Sequence, residues 1–160
     1  MQRRQLIGIL LACSMASAAG SVQARRPAPS DASREVARVK DRLVDAVRSK
    51  RLDDIAQLFS PDGSFLSRTT GRVTGRTAIR GLFEKVLGSF TSDITMTSVR
   101  VERSGDLAYD SGDFEETVTS TSDATKKYSV KGNYLLVLKR ERGSWLIVEQ
   151  VMTDRTQTSR

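Results

Sequence analysis

Residues Gly132 to Val151 read GNYLLVLKRERGSWLIVEQV. Two apolar runs, Tyr134–Leu138 and Trp145–Val148, flank a charged link, Lys139–Ser144, that contains a glycine. Each run is aliphatic, β-branched or aromatic and too short for a free-standing helix, so the pair predicts a long β-hairpin. In its second strand Gln150 shares parity with Leu146, Val148 and Met152, and Trp145 takes the opposite face.

Strand signals continue upstream of the hairpin. Ile94 and Met96 have one parity, Val99 and Val101 the other, a slip that predicts a β-bulge near Thr97–Ser98 and a bend in the sheet. Leu107–Val118 reads as a further strand after a Ser104-Gly105-Asp106 turn, and Thr119–Thr125 as a polar loop. Nearer the N-terminus the period changes. Val36, Val39, Leu43 and Val47 form one apolar stripe of a helix from Asp31 or Ser33 to about Arg48. Leu52 opens a short second helix, with Asp53 as N-cap and Ile55, Leu58 and Phe59 as its buried face. Ser60-Pro61-Asp62-Gly63 reads as a turn in which Asp62 caps local amides, Ser64–Arg68 as a short strand, and Thr69–Gly75 as a polar connection. Ile79, Leu82, Phe83, Val86 and Leu87 mark a third helix, closed by Gly88. Helices collected first and strands second predict an α+β domain, three helices packed on one face of a strongly curved antiparallel sheet. The domain spans residues 33–155, between a proline-containing lead-in over 25–32 and a polar tail over 156–160.

The first 24 residues read as an export signal: a basic start at Arg3 and Arg4, an apolar Leu6–Ala12, and a small-residue cleavage site at Val22-Gln23-Ala24. Arg3-Arg4-Gln5-Leu6-Ile7 also fits a twin-arginine signal, so both Sec and Tat routes stay open. Leu10-Leu11-Ala12-Cys13 resembles a lipobox, which makes a lipoprotein anchored at Cys13 the minor alternative to a periplasmic or secreted protein. The apolar segment is too short for a stable membrane span.

Cys13 is the sole cysteine, so cleavage after Ala24 would leave no disulfide, and stability must come from a packed core. The chain of 160 residues has no histidine, which removes the commonest metal ligand and the readiest proton carrier near neutral pH. No metal or cofactor site is expected, and acid–base work falls to carboxylates and tyrosines. The net charge of +7 falls to +5 without Arg3 and Arg4, because the signal holds no acids. The basic residues are scattered among acids with no aromatic-interleaved stripe, so no nucleic-acid partner is expected.

Strand parity picks out the candidate site. Ala108, Gly112 and Phe114 form an apolar set with Asp110 among them. A carboxylate on an apolar face tends to a raised pKa and can act as a general acid or base. The alternative is a twist that sends Asp110 to solvent or to an arginine. Tyr128, Val130, Gly132, Tyr134, Leu136 and Leu138 share the facing side of the next strand. Tyr134 there is either an oxyanion donor or a core tyrosine with its hydroxyl at an edge. Buried Gln150 needs a partner from backbone, water or ligand. Tyr134, Gln150, Tyr128 and Phe114 are thus the candidate contacts for a small-molecule ligand, with Asp110 as the candidate catalytic group. Gly112 and Gly132 mark bends.

The run LDDIAQLFSPDG at 52–63, with GRTAIRGLF at 75–83, GDLAYDSG at 105–112, and Gly132-Asn133-Tyr134 through Gly143-Ser144-Trp145, resembles the NTF2-like superfamily in order and spacing, and within it the SnoaL-like, DUF4440 type. The resemblance runs from about Val36 to Asp154. It implies a cone, a bent sheet wrapped over helices with a pocket at the open end, in a family that includes ketosteroid isomerase, polyketide cyclases, dehydratases and many members with no known activity. Aligned on the ketosteroid isomerases, the catalytic aspartate falls at Ser67 and the tyrosine donor at Leu43. Serine is too weak a base and leucine has no proton to give. The resemblance therefore implies a protein that is not a steroid isomerase. It leaves three functional expectations. The first is an exported domain binding a small, partly apolar molecule in its cone. The second is a SnoaL-like enzyme using Asp110, with Tyr134 and Gln150 orienting a carbonyl substrate. The third is a homodimerising module with Leu135, Val137, Trp145 and Ile147 on its outer sheet face.

Overall fold

The computed structural model describes residues 31–159, so the export segment and most of the lead-in lie outside the described residues. Three helices, α1 (Asp31–Arg48), α2 (Leu52–Leu58) and α3 (Arg76–Ser89), combine with six strands, β1 (Phe59–Ser67), β2 (Gly71–Thr74), β3 (Phe90–Ser104), β4 (Leu107–Ser120), β5 (Lys127–Glu141) and β6 (Ser144–Ser159). The strands form one curved, unclosed sheet in the order β2-β1-β6-β5-β4-β3. Neighbours are antiparallel except β1 and β6, which pair in parallel and bring the N-terminal half of the chain onto the hairpin. The arrangement is the α+β cone that the sequence predicts.

Helix α1 lies across the concave side of β3, and its stripe of Val36, Val39, Leu43 and Val47 is buried. Among the described residues no helix is long and apolar enough to cross a membrane. The hairpin forms as expected, but its link is shorter: Glu141 pairs with Ser144, and Arg142 and Gly143 make the turn with φ of 49° and 86°. Two central residues with positive φ suit the right-handed twist of the flanking strands.

Three bulges set the curvature. Val99 is skipped in the β3–β4 ladder, where Ser98 pairs with Gly112 and Arg100 with Ser111. In the β5–β6 ladder Val148 and Arg155 are skipped. The first is the predicted bulge, one residue further on, and it leaves Val99 half-exposed while Val101 turns inward. The second overturns the parity reading of β6. Trp145 and Ile147 point into the core, 7% and 0% exposed, because the bulge at Val148 reverses the alternation before Gln150. Trp145 Nε1 donates to Glu35 on α1 at 3.3 Å, and the Arg103 guanidinium lies 5.4 Å from its ring centre. Of the four outer-face residues expected, Leu135 and Val137 remain, joined by Leu107.

Local signals differed where pairing prevailed. Ser60–Gly63 is not a free turn but an irregular part of β1 that passes beside β6. There Ser60 Oγ donates to Asp62, which makes no amide cap. Part of the 69–75 connection pairs as β2. Asp53 does not cap α2; it accepts from Arg80 Nε at 2.7 Å and ties α2 to α3. Gly88 sits inside α3, which ends at Ser89 as the chain enters β3. Residues 156–159, which read as a tail, pair with β5.

Gly112 and Gly132 are bends enforced by close approach. A Cβ on Gly132 would lie 2.1 Å from the Thr153 carbonyl oxygen and 2.6 Å from Phe114 Cε1; one on Gly112 would lie 1.9 Å from the Thr97 carbonyl oxygen. Gly81, in the middle of α3, meets nothing within 4 Å. Gly132→Ala should therefore lower unfolding free energy by about 1–3 kcal/mol through overpacking. Gly81→Ala should raise it by about 0.5–1 kcal/mol through helix propensity. Urea denaturation of both variants checks the pair of signs.

Candidate functional site

The concave interior has two unlike regions. In the closed one, Asp110 of β4 is fully buried. Tyr134 of β5 donates its hydroxyl to Asp110 Oδ1 at 2.8 Å, and Ser98 of β3 donates to Oδ2 at 2.9 Å. Lys40 of α1, only 8% exposed, donates to Ser98 Oγ at 3.1 Å and pairs with Asp41 at 3.3 Å. Ser98 continues the inward parity of Ile94 and Met96, just before the bulge at Val99. Burial pushes the Asp110 carboxyl above its ordinary value, against the pull of Tyr134, Ser98 and Lys40. Burial likewise raises the Tyr134 phenol, with the Asp110 charge adding to it. Asp110 reaches neither solvent nor an arginine. Its partners are a tyrosine, a serine and, through the serine, a lysine.

The open region is a cavity of about 260 Å³ between α1, α3 and the sheet. Leu43 and Val47 of α1, Leu82 and Phe83 of α3, and Phe65, Ile94, Met96, Phe114 and Met152 of the sheet give it an apolar wall. Phe65 and Phe83 meet edge to face, with ring centres 5.7 Å apart. Polar groups enter from β6 and β4. Gln150, opposite Phe65 of β1 and Leu136 of β5, is 3% exposed, and its Oε1 has no hydrogen-bond partner. Glu116, two residues beyond Phe114, accepts from Ser92 Oγ at 2.5 Å. Burial raises its carboxyl above the ordinary value; the Ser92 hydrogen bond opposes this and the Asp154 charge adds to it. Asp154, Ser67, Thr69 and Thr70 complete the polar part of the lining.

Of the residues singled out from the sequence, Gln150 and Phe114 line this cavity. Asp110 and Tyr134 meet each other but belong to the closed cluster, where a substrate would have to enter a filled core to reach them. Tyr128 is half-buried near the far end of β5, opposite Val118 and Ser159, and is not part of the wall. Glu116 was missed. Its signal was present in the sequence, since it continues the parity of Asp110, Gly112 and Phe114. Ser67 and Leu43, the positions that the isomerase alignment assigns to base and donor, both line the cavity. Among the described residues no group of three histidine, cysteine, aspartate or glutamate side chains is placed to hold a metal ion.

Residues 29–151 match the SnoaL-like domain. The chain belongs to the SnoaL-like family. Its fold is shared with a ketosteroid isomerase-like protein from Erwinia carotovora atroseptica, at 14% identity and a TM-score of 0.72, covering 79% of this chain and 98% of that one. A hexachlorocyclohexane dehydrochlorinase superposes with a TM-score of 0.71 at 16% identity, covering 82% of this chain and 93% of the other. A conserved protein from Planctomyces limnophilus superposes with a TM-score of 0.70 at 16% identity, covering 75% and 93%. These likenesses are of fold. No curated protein matches the sequence.

The raised carboxyl of Asp110 fixes the sign of a pH effect. The folded state holds that proton more tightly than the unfolded chain, so the Asp110 contribution is most favourable below the unfolded pKa of about 4 and is lost as pH rises through the folded value. Stability of the wild type minus that of Asp110→Asn should fall as pH increases from 4 toward neutrality, measured by denaturant titration at each pH. A difference that rises instead would mean that the Tyr134 and Ser98 donors outweigh burial.

Proposed function

We propose that the protein is an exported SnoaL-like domain that binds one small, partly apolar molecule in the cone cavity, with no reaction assigned. The observation that carries this reading is Gln150, an almost fully buried amide whose Oε1 is unpartnered in the wall of a largely apolar cavity. A buried acceptor left without a donor costs about 1–3 kcal/mol. A ligand O–H or N–H would offset that cost, while the phenylalanine and aliphatic wall takes up its apolar body. The volume of about 260 Å³ lies just under the range of roughly 300–1,000 Å³ that accommodates drug-sized ligands, so the guest is small. Periplasmic or secreted placement is part of the same proposal, supported by the basic, apolar and small-residue order of the N-terminal 24 residues. Homodimerisation, which belongs to the same proposal, would use the outer face at Leu107, Leu135 and Val137.

Phenylnaphthylamine, a neutral fluorescent probe with a single N–H, should bind the purified domain saturably with one site. Met152→Trp, which fills the cavity, should abolish binding, and Gln150→Leu should weaken it by roughly tenfold, as for a lost hydrogen bond in a dry site. Binding indifferent to Met152→Trp would place the probe elsewhere and remove the support for the cavity. Intact mass of protein recovered from its native envelope tests export: a chain beginning at Arg25 is expected, and a lipidated Cys13 would replace it with a membrane anchor.

A further inference from the structure

The polar groups of the cavity wall differ in number and in kind from what a neutral ligand needs. Glu116 and Asp154 both contribute to it, and the β5 register explains why: Glu116 pairs with Val130 on one side and Asp154 with Gly132 on the other, so the two carboxylates flank the same short piece of β5. Gln150 adds an unpartnered acceptor oxygen. No lysine or arginine lines the cavity. The nearest cations in sequence are committed to the opposite, exposed face, Lys131 to Glu115 at 2.8 Å and Arg155 to Asp113 at 3.0 Å. Among the described residues neither Glu116 nor Asp154 takes part in an ion pair.

We infer that the ligand is a small amphipathic amine, with an apolar or aromatic body among the phenylalanines and a protonated nitrogen held between Glu116 and Asp154. This rests on the proposal that the cavity binds a small molecule and names the chemistry of that molecule. Gln150 Oε1 lacks a donor and the two carboxylates lack a counter-charge, and an ammonium group supplies several donors together with the missing positive charge. A cation beside Glu116 offsets the cost of its burial and relieves its repulsion with Asp154, the two effects that raise its carboxyl. An anionic ligand would meet two carboxylates and no counter-charge, so the same wall rejects it.

Three indoles with one body and different heads test the inference: tryptamine, which is cationic, tryptophol, which is neutral, and indole acetate, which is anionic. Isothermal titration calorimetry on the wild-type domain should show tryptamine binding on the order of tenfold more tightly than tryptophol, as expected for a charge-assisted hydrogen bond against a neutral one. Indole acetate should bind most weakly. Glu116→Gln, which keeps an acceptor for Ser92, should abolish the advantage of tryptamine while leaving tryptophol affinity nearly unchanged, and Asp154→Asn should reduce that advantage. Equal wild-type affinities for tryptamine and tryptophol would overturn the amine inference while leaving cavity binding intact. If none of the three indoles binds and phenylnaphthylamine fails as well, the cavity proposal itself is wrong. The wild-type comparison decides the matter even if either variant fails to fold.

Discussion

The cone depends on two places where the sheet leaves no room for a side chain. Gly112 faces the bulged part of β3, and Gly132 faces the bulged part of β6. A bulge lengthens one strand locally, and a glycine opposite it lets the two backbones close up instead of splaying apart. At Gly132 the vacated space is taken by the Phe114 ring from the neighbouring strand. The same contact therefore bends the sheet and seats one wall of the cavity. A flat sheet of these strands would meet α1 and α3 along its length and close the interior; a bent one meets them at one end and opens at the other.

That bend separates two environments built from the same strands. Where the sheet closes on α1, polar groups are matched one to another: Asp110 with Tyr134 and Ser98, and Ser98 with Lys40. Buried networks of this kind are tolerated because every member has a partner. Where the sheet departs from the helices, the wall is phenylalanine, aliphatic and methionine, and one of its few polar groups, Gln150 Oε1, is left without a partner. The fold thus sets a hydrogen-bonded cluster beside a pocket with one unpartnered buried acceptor. Family membership accounts for the overall fold, and the two positions that the isomerase alignment assigns to base and donor, Ser67 and Leu43, line the open region.

Much of this could be read before the structure was known, because periodicity reports burial directly. The stripe on α1, the parity of β4 and the hairpin all appear where the sequence places them. What could not be read has a common cause: pairing between distant segments. The bulge at Val148 is set by the fit of β6 between β1 and β5, and it turns Trp145 and Ile147 inward against a simple alternation. Ser60–Gly63 carries turn chemistry, yet the parallel pairing with β6 draws it into a strand. Asp53 has the identity of an N-cap, and Arg80 on another helix claims it. At the site the failure was of another sort. Parity brought out Asp110 for its isolation among apolar neighbours, and the same parity applied two residues past Phe114 would have brought out Glu116.

Those two carboxylates differ in how far the fold itself supplies their partners. Both lie on the inward face of β4, six residues apart, and burial raises the carboxyl of each. Asp110 receives two hydroxyl donors and feels both Lys40 and Asp41; Glu116 receives one hydroxyl and feels Asp154, with no cation among the groups that shift it. Completing Glu116 from within the chain would have required only a basic side chain at one of the wall positions, and the wall contains none. A group that burial disfavours and the fold does not complete is a cost to stability, and such costs concentrate where a protein meets something outside itself. By that criterion the Asp110 cluster is completed from within the fold, and the cavity wall with Glu116, Asp154 and Gln150 is what the proposed ligand would complete.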